Sequence, residues 1–128
     1  MTAAAPLHVL IVDDSPSMRR QLRHALDRLG AVNTSEAGDG AEAWRKLTST
    51  SFDLVLTDIN MPLLDGLKLV SLIRQGGAHR QVPIVVITTE GAEADRRRAM
   101  ALGASRYLVK PVQAGQLVEA VQGLVGAG

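Results

Sequence analysis

The chain predicts an α/β fold: a doubly wound, five-stranded parallel sheet in the order 2-1-3-4-5, with five helices shared between its two faces. Three observations predict the layers, and the order is the one a doubly wound sheet of this kind would take. Short apolar runs alternate with stretches of helical periodicity five times along the 128 residues, the pattern of a parallel sheet with right-handed crossovers. The main runs are continuously apolar, as strands covered on both faces must be. Four of the runs stop abruptly at polar residues, namely Asp13-Asp14, Asp58, Thr88 and Lys110. Parallel strands bring all such ends to one edge of the sheet, where open α/β sheets bind their ligands.

The first strand is Leu7 to Val12, ending at Asp13-Asp14. Ser15 can cap the helix that follows and Pro16 suits its first turn. Met18, Leu22, Ala25, Leu26 and Leu29 recur at helical spacing, with Arg19, Arg20, Arg23 and His24 on the wet side. Gly30 ends that helix. Ala31 to Ala37 is a more polar run and is expected near a sheet edge. Gly38-Asp39-Gly40 turns into a helix over Ala41 to Thr48, with Ala43, Trp44 and Leu47 inward.

The run beginning at Phe52 is too short and too β-branched for a helix, and ends at Asp58. In the Asn60-Met61-Pro62 turn that follows, Pro62 forbids continuation as helix or central strand. Asp65-Gly66 opens a third helix through about Arg74, burying Leu67, Val70 and Ile73. After a glycine-containing loop, Val82 to Ile87 forms the fourth strand, ending at Thr88-Thr89-Glu90. The helix from about Ala92 to Leu102 has an apolar face made mostly of alanine, plus Met100 and Leu102, opposite Arg96-Arg97-Arg98. Small side chains bury little area, so this helix is weakly anchored. Gly103 caps it. A short strand, Arg106 to Val109, leads to Lys110-Pro111. The last helix, Ala114 to Val125, turns Leu117, Val118, Val121 and Leu124 inward, and Gly126-Ala127-Gly128 should fray.

Bulk properties narrow the function. The length suits one domain with no output domain attached, and 46% hydrophobic residues support a packed core. With one Phe, one Tyr and one Trp that core is aliphatic. The absence of cysteine excludes disulfides and thiolate zinc sites and is consistent with the cytoplasm. The first six residues lack the charged and apolar regions of a signal peptide, and no apolar stretch approaches the ~20 residues of a membrane span. A formal charge of +1 argues against a nucleic-acid binder.

In the predicted strand order the first and third strands are neighbours, so Asp13, Asp14 and Asp58 converge. Two charges ~4 Å apart repel by about 4 kcal/mol at an effective dielectric of 20, so the cluster needs a cation. Mg²⁺ fits, since it takes oxygen ligands and commonly uses one or two carboxylates with phosphate oxygens. Lys110 adds positive charge and Thr88 a hydroxyl. A metal, a lysine and a hydroxyl around a carboxylate suit a phosphoryl group carried on that carboxylate. Singly, each residue has a plainer reading as cap, turn former or surface lysine. Asp39 and Asp65 are read as structural, the Arg96-Arg97-Arg98 run as a solvated face, and His8, His24 and His79 receive no role.

Taken together, Val12-Asp13-Asp14-Ser15, Leu56-Thr57-Asp58-Ile59-Asn60-Met61-Pro62, Asp65-Gly66, Ile87-Thr88-Thr89-Glu90 and Tyr107-Leu108-Val109-Lys110-Pro111 resemble the receiver domain of two-component response regulators, a flavodoxin-like fold. The resemblance covers nearly the whole chain. It implies that Asp58 is the phosphoacceptor for a histidine kinase. It further implies that Asp14 binds Mg²⁺ directly and Asp13 mainly through water, with Asp58 and the Asn60 carbonyl completing the ligands. Thr88 and Lys110 would contact the phosphoryl oxygens, and Lys110-Pro111 would be a cis peptide. Asp-Asp-Ser-Pro-Ser-Met-Arg-Arg after the first strand, Asn60 with Glu90, and Tyr107 resemble the stand-alone chemotaxis subtype. There Thr88 and Tyr107 would form the switch, and Asn60 and Glu90 would set the phosphoryl lifetime. The fourth helix, fifth strand and fifth helix would present a face to a downstream protein, the chain remaining a monomer.

The chain departs from that subtype in Ile59, where a tryptophan is common, and in Ala92, Glu93 and Arg96, where flagellar-motor binders carry lysines and an aliphatic residue. The alternatives are a phosphorelay intermediate, a phosphorylation-independent scaffold, and a phosphatase or mutase using an aspartyl phosphate. The last usually needs an acid where Asn60 stands.

Overall fold

The computed structural model describes residues 6–61 and 64–125. Pro62 of the predicted turn, the N-terminal segment read as no signal peptide, and the tail expected to fray lie outside the described residues. The strands are β1 (Leu7–Val12), β2 (Val32–Ala37), β3 (Leu54–Thr57), β4 (Ile84–Thr88) and β5 (Arg106–Val109). Between and after them lie α1 (Pro16–Leu26), α2 (Gly40–Ser49), α3 (Gly66–Gln75), α4 (Glu93–Leu102) and α5 (Ala114–Val125). All strands pair in parallel in the order β2-β1-β3-β4-β5, as predicted.

Alternation along the strands divides the core into two. Leu10, Val12, Val55, Ile84 and Val86 meet Ala43 and Leu47 of α2, Leu69, Val70 and Ile73 of α3, and Ala99 of α4. Val9, Ile11, Leu54, Leu56, Val85 and Ile87 point the other way, onto Leu22, Ala25 and Leu26 of α1 and Leu117 and Val121 of α5. A fully buried aliphatic side chain contributes about 1.5–3 kcal/mol, so the central strands anchor both layers. The polar strand β2 is an edge, as expected.

The caps follow the sequence. Ser15 accepts from the Met18 amide at 3.2 Å, Asp39 from Glu42 at 2.8 Å and Asp65 from Lys68 at 2.8 Å, which bears out the structural reading of the last two. Lys110–Pro111 is cis, as the resemblance implies.

Some details are corrected. The first helix does not stay α-helical to Leu29: it tightens into a 3₁₀ turn over Asp27–Leu29, a common way for a helix to end. In α3 the buried stripe is Gly66, Leu69, Val70 and Ile73, so Leu67 sits half-buried on its flank. In α5 the stripe runs through Leu117 and Val121, and Val118 is likewise only half-buried. Helix α4 is as lightly held as its composition suggests. Ala99 is its one buried residue, with Met100 and Leu102 partly buried against the core.

Candidate functional site

Register builds the site. Val12 of β1 lies opposite Thr57 of β3, so the next residues, Asp13 and Asp58, emerge side by side. Thr88 of β4 lies opposite Val109 of β5, and the Lys110 amide donates to the Thr88 carbonyl at 2.8 Å. Asp13, Asp14 and Asp58 each offer a carboxylate oxygen, and these oxygens lie within 4.8 Å of one another. Asp13 is 2% exposed and Asp58 6%, while Asp14 is open to solvent.

Lys110 closes the cluster. Its Nζ donates to Asp13 Oδ2 at 2.9 Å and to Asp58 Oδ2 at 2.8 Å. Burial alone would push the ammonium pKa down, but the bonds to Asp58 and Asp13, and their charges, more than reverse this and raise it. One lysine against three carboxylates leaves a formal excess of negative charge. An all-oxygen donor set with that excess suits a hard divalent cation such as Mg²⁺.

Local backbone geometry holds each acid. Asp58 Oδ1 accepts from the Ile59 amide at 2.6 Å and the Asn60 amide at 3.2 Å. Asp13 Oδ1 accepts from the Ser15 amide at 2.9 Å, so the turn that caps α1 also aims the carboxylate. Gly66 is required behind Asp58, because a Cβ there would lie 1.9 Å from the Asp58 carbonyl oxygen.

A second polar group adjoins the first. Asn60 Nδ2 donates to Glu90 Oε1 at 2.9 Å, the Glu90 amide donates to Thr88 Oγ1 at 3.3 Å, and the Tyr107 hydroxyl donates to the Glu90 carbonyl at 2.5 Å. Thr88 is fully buried. Glu90 therefore touches Asn60, Thr88 and Tyr107 at once, and the Asn60 amide joins this group to Asp58. Burial raises the Tyr107 phenol pKa, with Asp95, Glu90 and Asp58 adding to the shift. All eight sequence-predicted site residues thus fall into two adjoining groups. Trp44 lies elsewhere, beside a cavity it shares with Ile73 and His79.

One contact to the site was missed from sequence. Arg19, read as a solvated helix residue, donates from Nη1 to the Asp13 carbonyl at 2.6 Å. Its only sequence signal is its pairing with Arg23 at i, i+4 opposite the single acid of β2, Glu36.

The profile of the response regulator receiver domain matches residues 9–122. The chain is a response regulator receiver domain. It is 40% identical over 121 residues to chemotaxis protein CheY1 of Helicobacter pylori, covering 94% of this chain and 98% of that one. It is 38% identical over 123 residues to a chemotaxis protein CheY homolog of Campylobacter jejuni, covering 95% of each. Among solved structures, the receiver superposes on chemotaxis response regulator CheY4 of Vibrio cholerae with a TM-score of 0.86 at 32% identity, covering 94% of this chain and 99% of that one. It matches the receiver domain of a Pseudomonas aeruginosa sensor histidine kinase equally well, at TM-score 0.86 and 30% identity over 95% of this chain and 99% of that one. That structure has a magnesium ion coordinated in its active site cleft. Among the described residues of the receiver, no helix is long and apolar enough to cross a membrane.

Proposed function

We propose that this receiver is a single-domain switch of the chemotaxis type, which takes a phosphoryl group from a histidine kinase onto Asp58. The observation that carries the reading is Lys110 Nζ bridging Asp13 and Asp58 within a pocket of three carboxylates. Asp13, Asp14 and Asp58, with the Asn60 carbonyl, would hold Mg²⁺, which would neutralise phosphoryl charge. In the transfer a carboxylate oxygen of Asp58 forms the new P–O bond as the P–N bond to the donor imidazole breaks. The imidazole, already carrying a proton on its other ring nitrogen, takes the P–N electron pair and leaves as the neutral ring. The amides on Asp58 Oδ1 orient the nucleophile. Lys110 and the Thr88 hydroxyl stabilise the equatorial oxygens.

Asn60 and Glu90, already bonded to one another, position the water that later hydrolyses the acyl phosphate, so the phosphorylated form is short-lived. Thr88 and Tyr107, both tied to Glu90, report the phosphoryl group to α4, β5 and α5, the face that binds a downstream protein. On this reading the protein is a cytoplasmic monomer rather than a turnover enzyme, and the similarity to chemotaxis proteins of two genera supports a motility pathway.

Intact mass after incubation with Mg²⁺ and acetyl phosphate tests the proposal. One added phosphoryl group is expected, absent without Mg²⁺ and in Asp58→Asn. If no adduct forms, Mg²⁺-dependent binding of beryllofluoride distinguishes rapid hydrolysis from an inert scaffold, and failure of both overturns the reading.

A further inference from the structure

Arg19 sits one turn into α1, yet its side chain is only 18% exposed. Its guanidinium makes two bonds in different directions: Nη1 donates to the Asp13 carbonyl at 2.6 Å and Nε to Glu36 Oε1 at 2.9 Å. Glu36, near the end of β2, is itself fixed: its Oε2 accepts from Arg23 Nη1 at 3.0 Å, and its carbonyl accepts from Lys46 of α2. Arg19 therefore braces the end of β1 against the end of β2. The braced carbonyl belongs to the peptide joining Asp13 to Asp14, so its plane sets the directions in which both side chains leave the backbone. Asp13 has further restraints, from Ser15 and Lys110. Asp14 is exposed, and no hydrogen bond or ion pair holds its carboxylate among the described residues.

On the reading of the pocket as a magnesium site, we infer that Arg19 is a positioning residue for it, fixing the Asp13–Asp14 peptide so that the Asp14 carboxylate meets the cation. Arginine suits the task because its rigid planar fork can bond two acceptors at once, whereas a lysine ammonium on a flexible stem serves one or the other. Partners that orient ligands from behind typically change metal affinity by about 10–100-fold when removed.

The sign of the effect separates positioning from charge. Arg19 is a cation near a cation site, so as a mere charge its removal would tighten Mg²⁺ binding. As a brace its removal weakens binding. The test is a Mg²⁺ titration of the full chain, followed by amide NMR shifts at the β1–α1 turn, with unfolding midpoints measured in parallel. Arg19→Ala is expected to raise the Mg²⁺ midpoint by about 10-fold, with Arg19→Lys intermediate. Arg23→Ala, which loses a bond to Glu36 but none to Asp13, should stay within about twofold of wild type.

An Arg19→Ala midpoint that is unchanged or lower overturns the inference, as does an equal loss in Arg23→Ala. Should Arg19→Ala not fold, Arg19→Lys decides, and a wild-type midpoint there overturns the inference. A wild-type chain that binds no Mg²⁺ instead overturns the magnesium reading itself.

Discussion

Tyr107 is the sole tyrosine of the chain, so its ionisation can be followed by near-ultraviolet absorbance without ambiguity. Burial, then the charges of Asp95, Glu90 and Asp58, raise its pKa above the ordinary 10.0. A raised value means that the folded state retains the proton longer than the unfolded chain. The stability linked to it is therefore complete below 10.0 and lost as pH climbs through the folded value. The titration midpoint of the native protein should exceed 10.0, and Asp95→Asn should bring it down. A native midpoint at or below the ordinary value would refute the placement of the ring.

Lys110 obeys the same sign, since its pKa also lies above the ordinary 10.5, and its bonds persist across the neutral range. Lys110→Ala leaves Asp13 and Asp58 buried and unpaired. It should cost about 3 kcal/mol in urea unfolding without divalent cations and recover part of that loss when Mg²⁺ is added. The acids of the site were legible as single letters at strand ends, because a parallel sheet sends those letters to one edge. Arg19 was not. Its position on the helical wheel is that of a wet residue, and only the nearness of Glu36 and the Asp13 carbonyl turns a long side chain inward.

At the scale of elements, the junction between β3 and α3 is the tightest constraint on the site. A methyl group on Gly66 would lie 1.9 Å from the Asp58 carbonyl oxygen and 2.8 Å from Ile59 Cα. Both are backbone atoms that cannot rotate away. Gly66→Ala should destabilise the fold by about 1–3 kcal/mol and slow phosphoryl acceptance by displacing Asp58, read by urea unfolding and by intact mass over time. Helix α4 is the opposite case. With only Ala99 buried, its amides should exchange faster than those of α3, which buries Leu69, Val70 and Ile73. Beryllofluoride should change that protection, and identical exchange with and without it would remove α4 from the switch. Alternating apolar runs made the parallel sheet and the number of strands and helices legible, whereas the strand order rests on the doubly wound topology and not on those runs. They could not set the phase of each buried stripe, because Leu67 and Leu69, or Val118 and Val121, are equally apolar. Only packing against the sheet chooses between them.

Over the whole molecule, a formal charge of +1 conceals a strongly uneven distribution. Three carboxylates gather at one edge with a single lysine among them, and this concentration works against the folded state while it attracts a cation. Asp14 contributes repulsion there without a compensating bond, so neutralising it should relieve the fold. Because Asp14 is exposed, solvent screens the gain to about 1 kcal/mol at most, and added monovalent salt should shrink it further. Binding reverses the ranking. A cation held by the native state alone stabilises it by about 2.7 kcal/mol at 100 times its dissociation constant, and Asp14→Asn forfeits most of that. Urea unfolding should therefore find Asp14→Asn slightly more stable than wild type without Mg²⁺ and clearly less stable at saturating Mg²⁺. If the two curves keep the same order in both conditions, Asp14 is not retained for the cation. If the order crosses, the acid cluster is a feature that the fold tolerates for the sake of its ligand.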